Sequence, residues 1–325
     1  MIRYLKHPEV DINKWNLCIE NSFNGLIYAH SWYLSMVNEN WEALVENDYE
    51  RVFPLTTRRK LGMDYLFQPR FTQQLGIFSK SLLTEEVVQN FLDAIPSKFK
   101  HIDINLNTFN KLDQAARSTT LWLNHELDMI SPYEKLASAY SSNLKRNLKK
   151  ATASKISVIK NIKPDYIINI FKSNKGKQLE ALHDKDYQLL KRLVYLMIYK
   201  GVAETVGAFD ENNELCAGAI FVYSKKKVIF YFSATNESAK ASAAMPLLID
   251  TFIRENSGKH LTLDFEGSND PNLARFYKGF GAKELYYPHY EKNSLNPVLR
   301  AGFEMFRNLK NISNRLHGNF LRRIK

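Results

Sequence analysis

The sequence predicts an α/β (α+β) chain of two tandem domains, each a twisted mixed sheet flanked by helices. Three observations carry that expectation. Apolar residues recur in segments of period two and in segments of helical period along the chain. The hydrophobic fraction of 45% and the aromatic fraction of 13% are those of packed cores rather than of disorder. The element order at the start of the chain, helices and then a hairpin, returns in its second half and points to a duplicated fold. A length of 325 residues suits two domains. The expected boundaries are 1–130 for the first domain, 131–155 for a basic connector helix, 156–295 for the second domain and 296–325 for a basic amphipathic tail.

The elements follow in order. Helical spacing covers 11–22 and 31–39. Residues 41–45 read as a strand, 46–50 as a turn and 51–55 as the returning strand. A further strand covers 63–68. Residues 84–94 have helical spacing, with Thr84 as cap and Glu85 and Glu86 beside the positive helix end. Residues 101–105 alternate as a strand does. Ser131-Pro132-Tyr133-Glu134 starts a helix: Ser131 caps, Pro132 suits the first turn and Glu134 completes a capping box. Leu136, Tyr140, Leu144 and Leu148 then form one apolar face at spacing four, with Lys145, Arg146, Lys149 and Lys150 on the others. Residues 165–173 and 186–200 read as helices, the second stopped by Gly201. Strands over 203–209, 215–223 and 228–234 follow, joined by turns. A helix over 245–255 takes Pro246 in its first turn. A strand over 261–265, a helix after Pro271 and a strand over 284–290 complete the order.

Composition narrows the function. No apolar run approaches the roughly 18 residues of a membrane helix, and the first eight residues lack the apolar core of a leader. Cys18 and Cys216 are far apart and read as free thiols of a cytoplasmic protein. The eight histidines show no paired spacing, so no metal site is expected. The net charge of +11 is concentrated: residues 131–172 carry +7 and residues 300–325 carry +6, while the rest nearly cancels. Two basic segments suggest either a polyanionic partner or plainly solvated helices. In the tail, Phe303, Phe306, Leu309, Ile312 and Leu316 fall at helical spacing beside Arg307, Lys310, Arg315, Arg322 and Arg323. Such a helix lies on the inner face of an anionic membrane or packs on the first domain with its charges in water.

The stretch from Asp264 to Ala282 carries the chemistry. It reads as a strand, a tight polar turn, a short helix and a glycine stop. Asp264 and Glu266 are two apart on a strand and are expected to share a face, with Leu263 and Phe265 opposite them. They either bind a substrate ammonium and take its proton, or fix the turn through the amides of Ser268 and Asn269. Asp270, before Pro271, binds substrate or caps the helix. Arg275 and Lys278 contact phosphates of a substrate or sit on a solvated face.

That element order, ending in Asp270-Pro271-Asn272-Leu273-Ala274-Arg275-Phe276-Tyr277-Lys278-Gly279-Phe280-Gly281, resembles the GCN5-related N-acetyltransferase (GNAT) fold. Two such domains with Ser142-Asn143-Leu144-Lys145-Arg146-Asn147-Leu148-Lys149-Lys150-Ala151 between them resemble the Fem family of peptidoglycan aminoacyltransferases and its acetyltransferase-like relatives. Trp32-Tyr33-Leu34 and Gln73-Gln74-Leu75-Gly76 look like the first domain of those relatives. The resemblance covers roughly residues 1–292. It implies Tyr277 as the proton donor to the leaving group, beside the plain alternative of a hydroxyl that only hydrogen-bonds in a half-buried site. Gln73 and Gln74 either contact substrate or serve packing alone.

One departure bears on the donor. Acyl-CoA-binding GNATs cradle the pyrophosphate in a glycine loop before their central helix. Here the stretch is Ser238-Ala239-Lys240-Ala241-Ser242-Ala243-Ala244-Met245, without a glycine. Lys240 and Ser242 remain as phosphate ligands at the helix start. The resemblance thus implies a transferase moving an aminoacyl or acyl group to an amine, on a cell-wall precursor. The co-substrate is aminoacyl-tRNA or acyl-CoA, and Lys145, Arg146, Lys149 and Lys150 would meet tRNA or a nucleotide-linked precursor. Two alternatives stand beside it: an acyl-CoA N-acetyltransferase with an atypical phosphate loop, and a non-catalytic GNAT-like ligand-binding protein.

Overall fold

The computed structural model describes residues 1–60, 62–112, 118–178, 182–267 and 269–295. The tail at 296–325, with its membrane-facing expectation, lies outside the described residues.

The first region holds β1 (Ile2–Leu5), α1 (Ile12–Asn21), α2 (Ser31–Val37), β2 (Glu42–Glu46), β3 (Arg51–Leu55), β4 (Thr57–Lys60), β5 (Met63–Phe67), β6 (Phe78–Ser79), α3 (Glu85–Asp93), β7 (Phe99–Asn105) and β8 (Thr119–Asp128). The connector holds α4 (Tyr133–Ser138) and α5 (Ser142–Ala153). Then come β9 (Ser157–Lys160), α6 (Pro164–Ser173), α7 (Asp184–Tyr199), β10 (Ala203–Phe209), β11 (Leu215–Ser224), β12 (Lys227–Thr235), α8 (Glu237–Ser242), α9 (Ala244–Asn256), β13 (Thr262–Gly267), α10 (Pro271–Lys278) and β14 (Lys283–Asn293).

Among the described residues, β1-β2-β3-β6 form a small antiparallel sheet. The large mixed sheet runs β4-β5-β7-β14-β8-β13-β12-β11-β10-β9. Its middle is an exchange. β14, from the end of the described chain, lies between β7 and β8 of the first region, and β8 pairs in turn with β13. One sheet thereby runs through both regions.

Helices cover both faces. On one, α6 packs on β11 and β12 and α7 on β10, and both merge with Trp15, Tyr28, Tyr33 and Trp41 of the first region into a single core. On the other, α4, α5, α8, α9 and α10 cover β10–β13. There Phe221 and Phe252 stack face to face at 3.7 Å, fixing α9 to β11. Truncating either buried ring costs about 3–5 kcal/mol by the transfer and cavity terms together. Cys18 and Cys216 are both free and buried.

The expected elements are present, with two revisions. The connector is two helices rather than one. Ser141 breaks it: its hydroxyl caps α5 by accepting from the Leu144 N–H at 3.2 Å, and its own N–H donates to the Gly279 carbonyl at 2.9 Å. The apolar face survives the break, with Leu136, Tyr140 and Leu144 buried. At its start Pro132, not Ser131, occupies the cap position.

Candidate functional site: the splay between β12 and β13

β12 and β13 pair in parallel from Lys227↔Thr262 to Ile229↔Asp264 and then part. On its other side β12 stays with β11, where the register slips by one residue at Tyr231. Such a bulge bends the strand and sharpens its twist. The gap between the parted strands is a cavity of about 370 Å³. Residues 230–235 of β12 line one wall, and Phe265, Glu266 and Gly267 line the other. α10 closes it with Phe276 and Tyr277, and Met245 comes from the start of α9. Past Ile229 no described strand pairs with this edge of β12, so its backbone groups are open to a ligand.

Glu266 departs from strand alternation. Its φ is +61°, in the left-handed region that costs a non-glycine residue about 1 kcal/mol or more. The pairing with β8 skips at the same place, from Asp264↔Glu126 to Gly267↔Asn124. Asp264 holds the bulge: its Oδ1 accepts from the Glu266 N–H at 2.9 Å and from Asn124 Nδ2 at 3.0 Å. Gly267 lets the bulge press on β8, for a Cβ there would meet the Leu123 carbonyl oxygen at 2.7 Å and the Tyr287 hydroxyl at 2.9 Å. The two carboxylates therefore do not share a face. Asp264 is buried in a network with Asn124, Glu126 and Lys227, whose Nζ lies 3.5 Å from it. Glu266 lines the cavity.

The electrostatics follow from that division. Burial opposes the charge of Lys227, but Asp264 and Glu126 outweigh it and hold its pKa above the usual value. Glu266 has no ion pair among the described residues. Burial pushes its pKa up to about 8, and the charge of Asp264 adds to this. Tyr28 opposes the rise by donating its hydroxyl proton to Glu266 Oε1. Tyr28 is itself buried, edge-on to Tyr33 at 5.4 Å, and the Tyr33 hydroxyl meets that of Tyr231 at 2.9 Å. Burial raises the pKa of all three tyrosines, so they remain protonated.

Tyr277 is buried on α10, stacked on Phe265 at 4.7 Å. Burial raises its pKa as well, and its hydroxyl has no hydrogen bond among the described residues. One cavity thus holds a carboxylate that changes charge near neutral pH and a phenol that keeps its proton. The first can take a proton from an ammonium, and the second can give one to a leaving group.

The remaining expected residues lie elsewhere. Gln73 comes nearest: a Cβ added at Gly267 would meet its Nε2 at 2.7 Å, and its Oε1 accepts from Gln74 at 2.8 Å. Gln74 is buried, accepting from the Thr108 N–H at 3.2 Å. Asp270 caps α10 through the N–H groups of Asn272 and Leu273 at 2.8 and 3.3 Å. Arg275 and Lys278 border a groove of about 590 Å³ between α5 and α10, and Lys278 pairs with Glu284 at 2.6 Å. Lys240 is exposed on α8 and pairs with Glu237 at 2.6 Å. Ser242 turns its hydroxyl back to the Ser238 carbonyl at 2.8 Å. Neither lines the cavity. Lys145, Arg146, Lys149 and Lys150 are all exposed on α5. Tyr28 is the residue sequence reasoning missed. It lies in the apolar run Leu26-Ile27-Tyr28-Ala29, where a tyrosine reads as core.

No family model and no curated protein matches the sequence. Solved structures do. FemX aligns over 90% of this chain and 98% of its own, with a TM-score of 0.62 and 12% identity. The fold is that of FemX. A protein of unknown function from Bacteroides thetaiotaomicron covers 89% of this chain and 100% of its own, with TM-score 0.54 and 10% identity. The C-terminal domain (DUF2156) of an Agrobacterium fabrum protein described as a lysylphosphatidylglycerol synthetase covers 90% and 95%, at the same TM-score and 10% identity. The chain is therefore FemAB-like in fold, with the mixed, helix-flanked sheets expected of GNAT-like domains.

Proposed function

We propose that the chain is an aminoacyltransferase, moving an aminoacyl group from tRNA to an amine. The observation that carries the reading is the half-buried carboxyl of Glu266, in no ion pair among the described residues, lining one cavity with Tyr277, whose hydroxyl has no hydrogen bond among them. The donor lies along the open edge of β12, its carbonyl held by backbone N–H groups, as an oxyanion requires. Glu266 takes the proton of the incoming ammonium. The freed amine attacks the ester carbonyl and a C–N bond forms. The C–O bond to the leaving group breaks, Tyr277 gives its proton to that oxygen, and the second proton of the attacking nitrogen restores the phenol, leaving a neutral amide. Asp264 and Tyr28 position Glu266, Asp264 through the backbone and Tyr28 through the carboxyl.

An aminoacyl donor is favoured over acyl-CoA because residues 237–242 form α8 where a glycine loop would cradle a pyrophosphate, with the Ser242 hydroxyl already engaged. Likeness to FemX and to the protein described as a lysylphosphatidylglycerol synthetase supports the same donor class. On this reading the basic face of α5 meets the tRNA, and a cell-wall precursor amine is the acceptor class to try first. The domain limits at 130 and 156, and peripheral membrane contact through the tail, belong to the same proposal.

The test incubates the protein with labelled aminoacyl-tRNAs, and separately with labelled acetyl-CoA, over a lysine-containing muropeptide. Label should pass from aminoacyl-tRNA to the amine in the wild type and not in Glu266→Gln. Transfer from acetyl-CoA instead would establish the acyl-CoA alternative. Transfer from neither, with no thermal stabilisation by either donor, would leave the non-catalytic reading.

A further inference from the structure

A second cavity, of about 420 Å³, shares no lining residue with the splay. It lies where the 21–26 loop and the 107–109 loop of the first region meet the β11–β12 turn. Its polar wall is cationic: Lys225, Lys226 and Lys227 line it, and no Asp or Glu does. Lys227 is neutralised by Glu126 and Asp264. The other two lysines are not. Lys225 spends one proton on the Ser22 carbonyl, and the Lys226 ammonium has no hydrogen bond or ion pair among the described residues, its backbone carbonyl alone accepting from the Thr262 N–H at 2.8 Å. Burial and then the neighbouring Lys226 charge lower the pKa of Lys225, as expected of adjacent cations without a counter-ion.

The rim is aromatic. Phe23 and Phe109 meet edge to face at 5.2 Å and are still 38% and 43% exposed. They are held there by rigid loops. Asn24, buried, donates to the Ile77 carbonyl at 2.9 Å and to Asn107 at 3.3 Å. Asn107, also buried, donates to the Leu75 carbonyl at 2.9 Å and accepts from the Phe109 N–H at 3.1 Å. A Cβ on Gly25 would meet the Ile19 carbonyl oxygen at 2.3 Å, so the loop closes this tightly only with glycine. The same packing brings the Lys225 stem against Gly25.

These amides are consumed in holding the loops. What the cavity offers a ligand is positive charge and ring faces. We propose that this cavity binds a small aromatic anion, a flat ring against Phe23 and Phe109 with its charged group on Lys225 and Lys226. The proposal is independent of the transferase reading.

Isothermal titration calorimetry with 2-naphthoate, its neutral isostere 2-naphthamide and acetate tests it. The naphthoate should bind, and the amide and acetate should each bind at least about tenfold more weakly, since each lacks one of the two recognised features. Lys226→Gln and Phe109→Ala, both exposed and with unchanged melting temperatures as folding control, should each lower naphthoate affinity by about five- to tenfold. Three outcomes would overturn the proposal: no naphthoate binding at millimolar concentration, acetate binding as tightly as naphthoate, or either variant leaving the affinity unaltered.

Discussion

β12 and β13 are one structure for three residues and another thereafter. In the paired half, Lys227 pairs with Glu126 and Asp264, Asn124 donates to Asp264, and Lys227 keeps its charge despite burial. In the open half, Glu266 is half-buried and Tyr277 buried, the first with no ion pair and the second with no hydrogen bond for its phenol among the described residues, though Lys175 lines the same cavity. The strands are the same, and the difference is what neighbours them. β8 supplies carboxylate and amide partners to the first half and only a register slip to the second. One end of the pair is built to hold, the other to react.

The largest effect should come from breaking the holding half. Lys227→Met strands two adjacent buried carboxylates and should cost about 3–5 kcal/mol in urea denaturation. The loss should shrink as the pH is lowered and Glu126, whose pKa burial and then the Asp264 charge raise, takes up a proton. A loss that is independent of pH would mean the network is not ionic. Next is the reacting half. Glu266→Gln should lower turnover by roughly 10²–10⁴-fold, with the fold intact.

The same substitution reads the linkage. The folded-state pKa of Glu266, about 8, lies above the ordinary 4.5, so the folded state binds the extra proton between those values. Its contribution to stability is therefore best below about 4.5 and is lost as the pH rises through 8. Glu266→Gln should be more stable than wild type above pH 8, with the gain fading near pH 5. Equal melting temperatures across that range would place Glu266 in water.

Tyr277→Phe should lower turnover by roughly 10²-fold or more with little change in binding. An unaltered rate would remove the hydroxyl from the reaction. Smaller again is Tyr28→Phe. Losing the hydrogen bond that lowers the Glu266 pKa should move the rising limb of the pH–rate profile upward and reduce turnover by about tenfold. A fixed profile would show that Tyr28 only packs.

Much of this was legible in the residues. The hairpin strands, α9 and α10 follow from periodicity and from punctuation by Pro246, Pro271 and Gly281. β8 was not read, because Asn124 and His125 are buried polar residues in the middle of it and hide its alternation. β4 escaped because Thr57-Arg58-Arg59-Lys60 is a charged edge, and β6 because it is two residues long. At the site, Glu266 and Tyr277 were singled out and do line one cavity. The parting of Asp264 from Glu266 gave no warning, since a glutamate carries no preference for the left-handed region that it occupies. Tyr28 was hidden for a different reason: its partner lies 238 positions away along the chain.

The position of β14 has a consequence for biosynthesis. β7 and β8 leave the ribosome long before the segment that fills the gap between them, and until then both present bare edges to the cell. Closing the sheet waits on contacts far apart in sequence, which slows folding. A gene fragment encoding either half should yield aggregating polypeptide, whereas co-expressed halves should rescue each other by strand complementation.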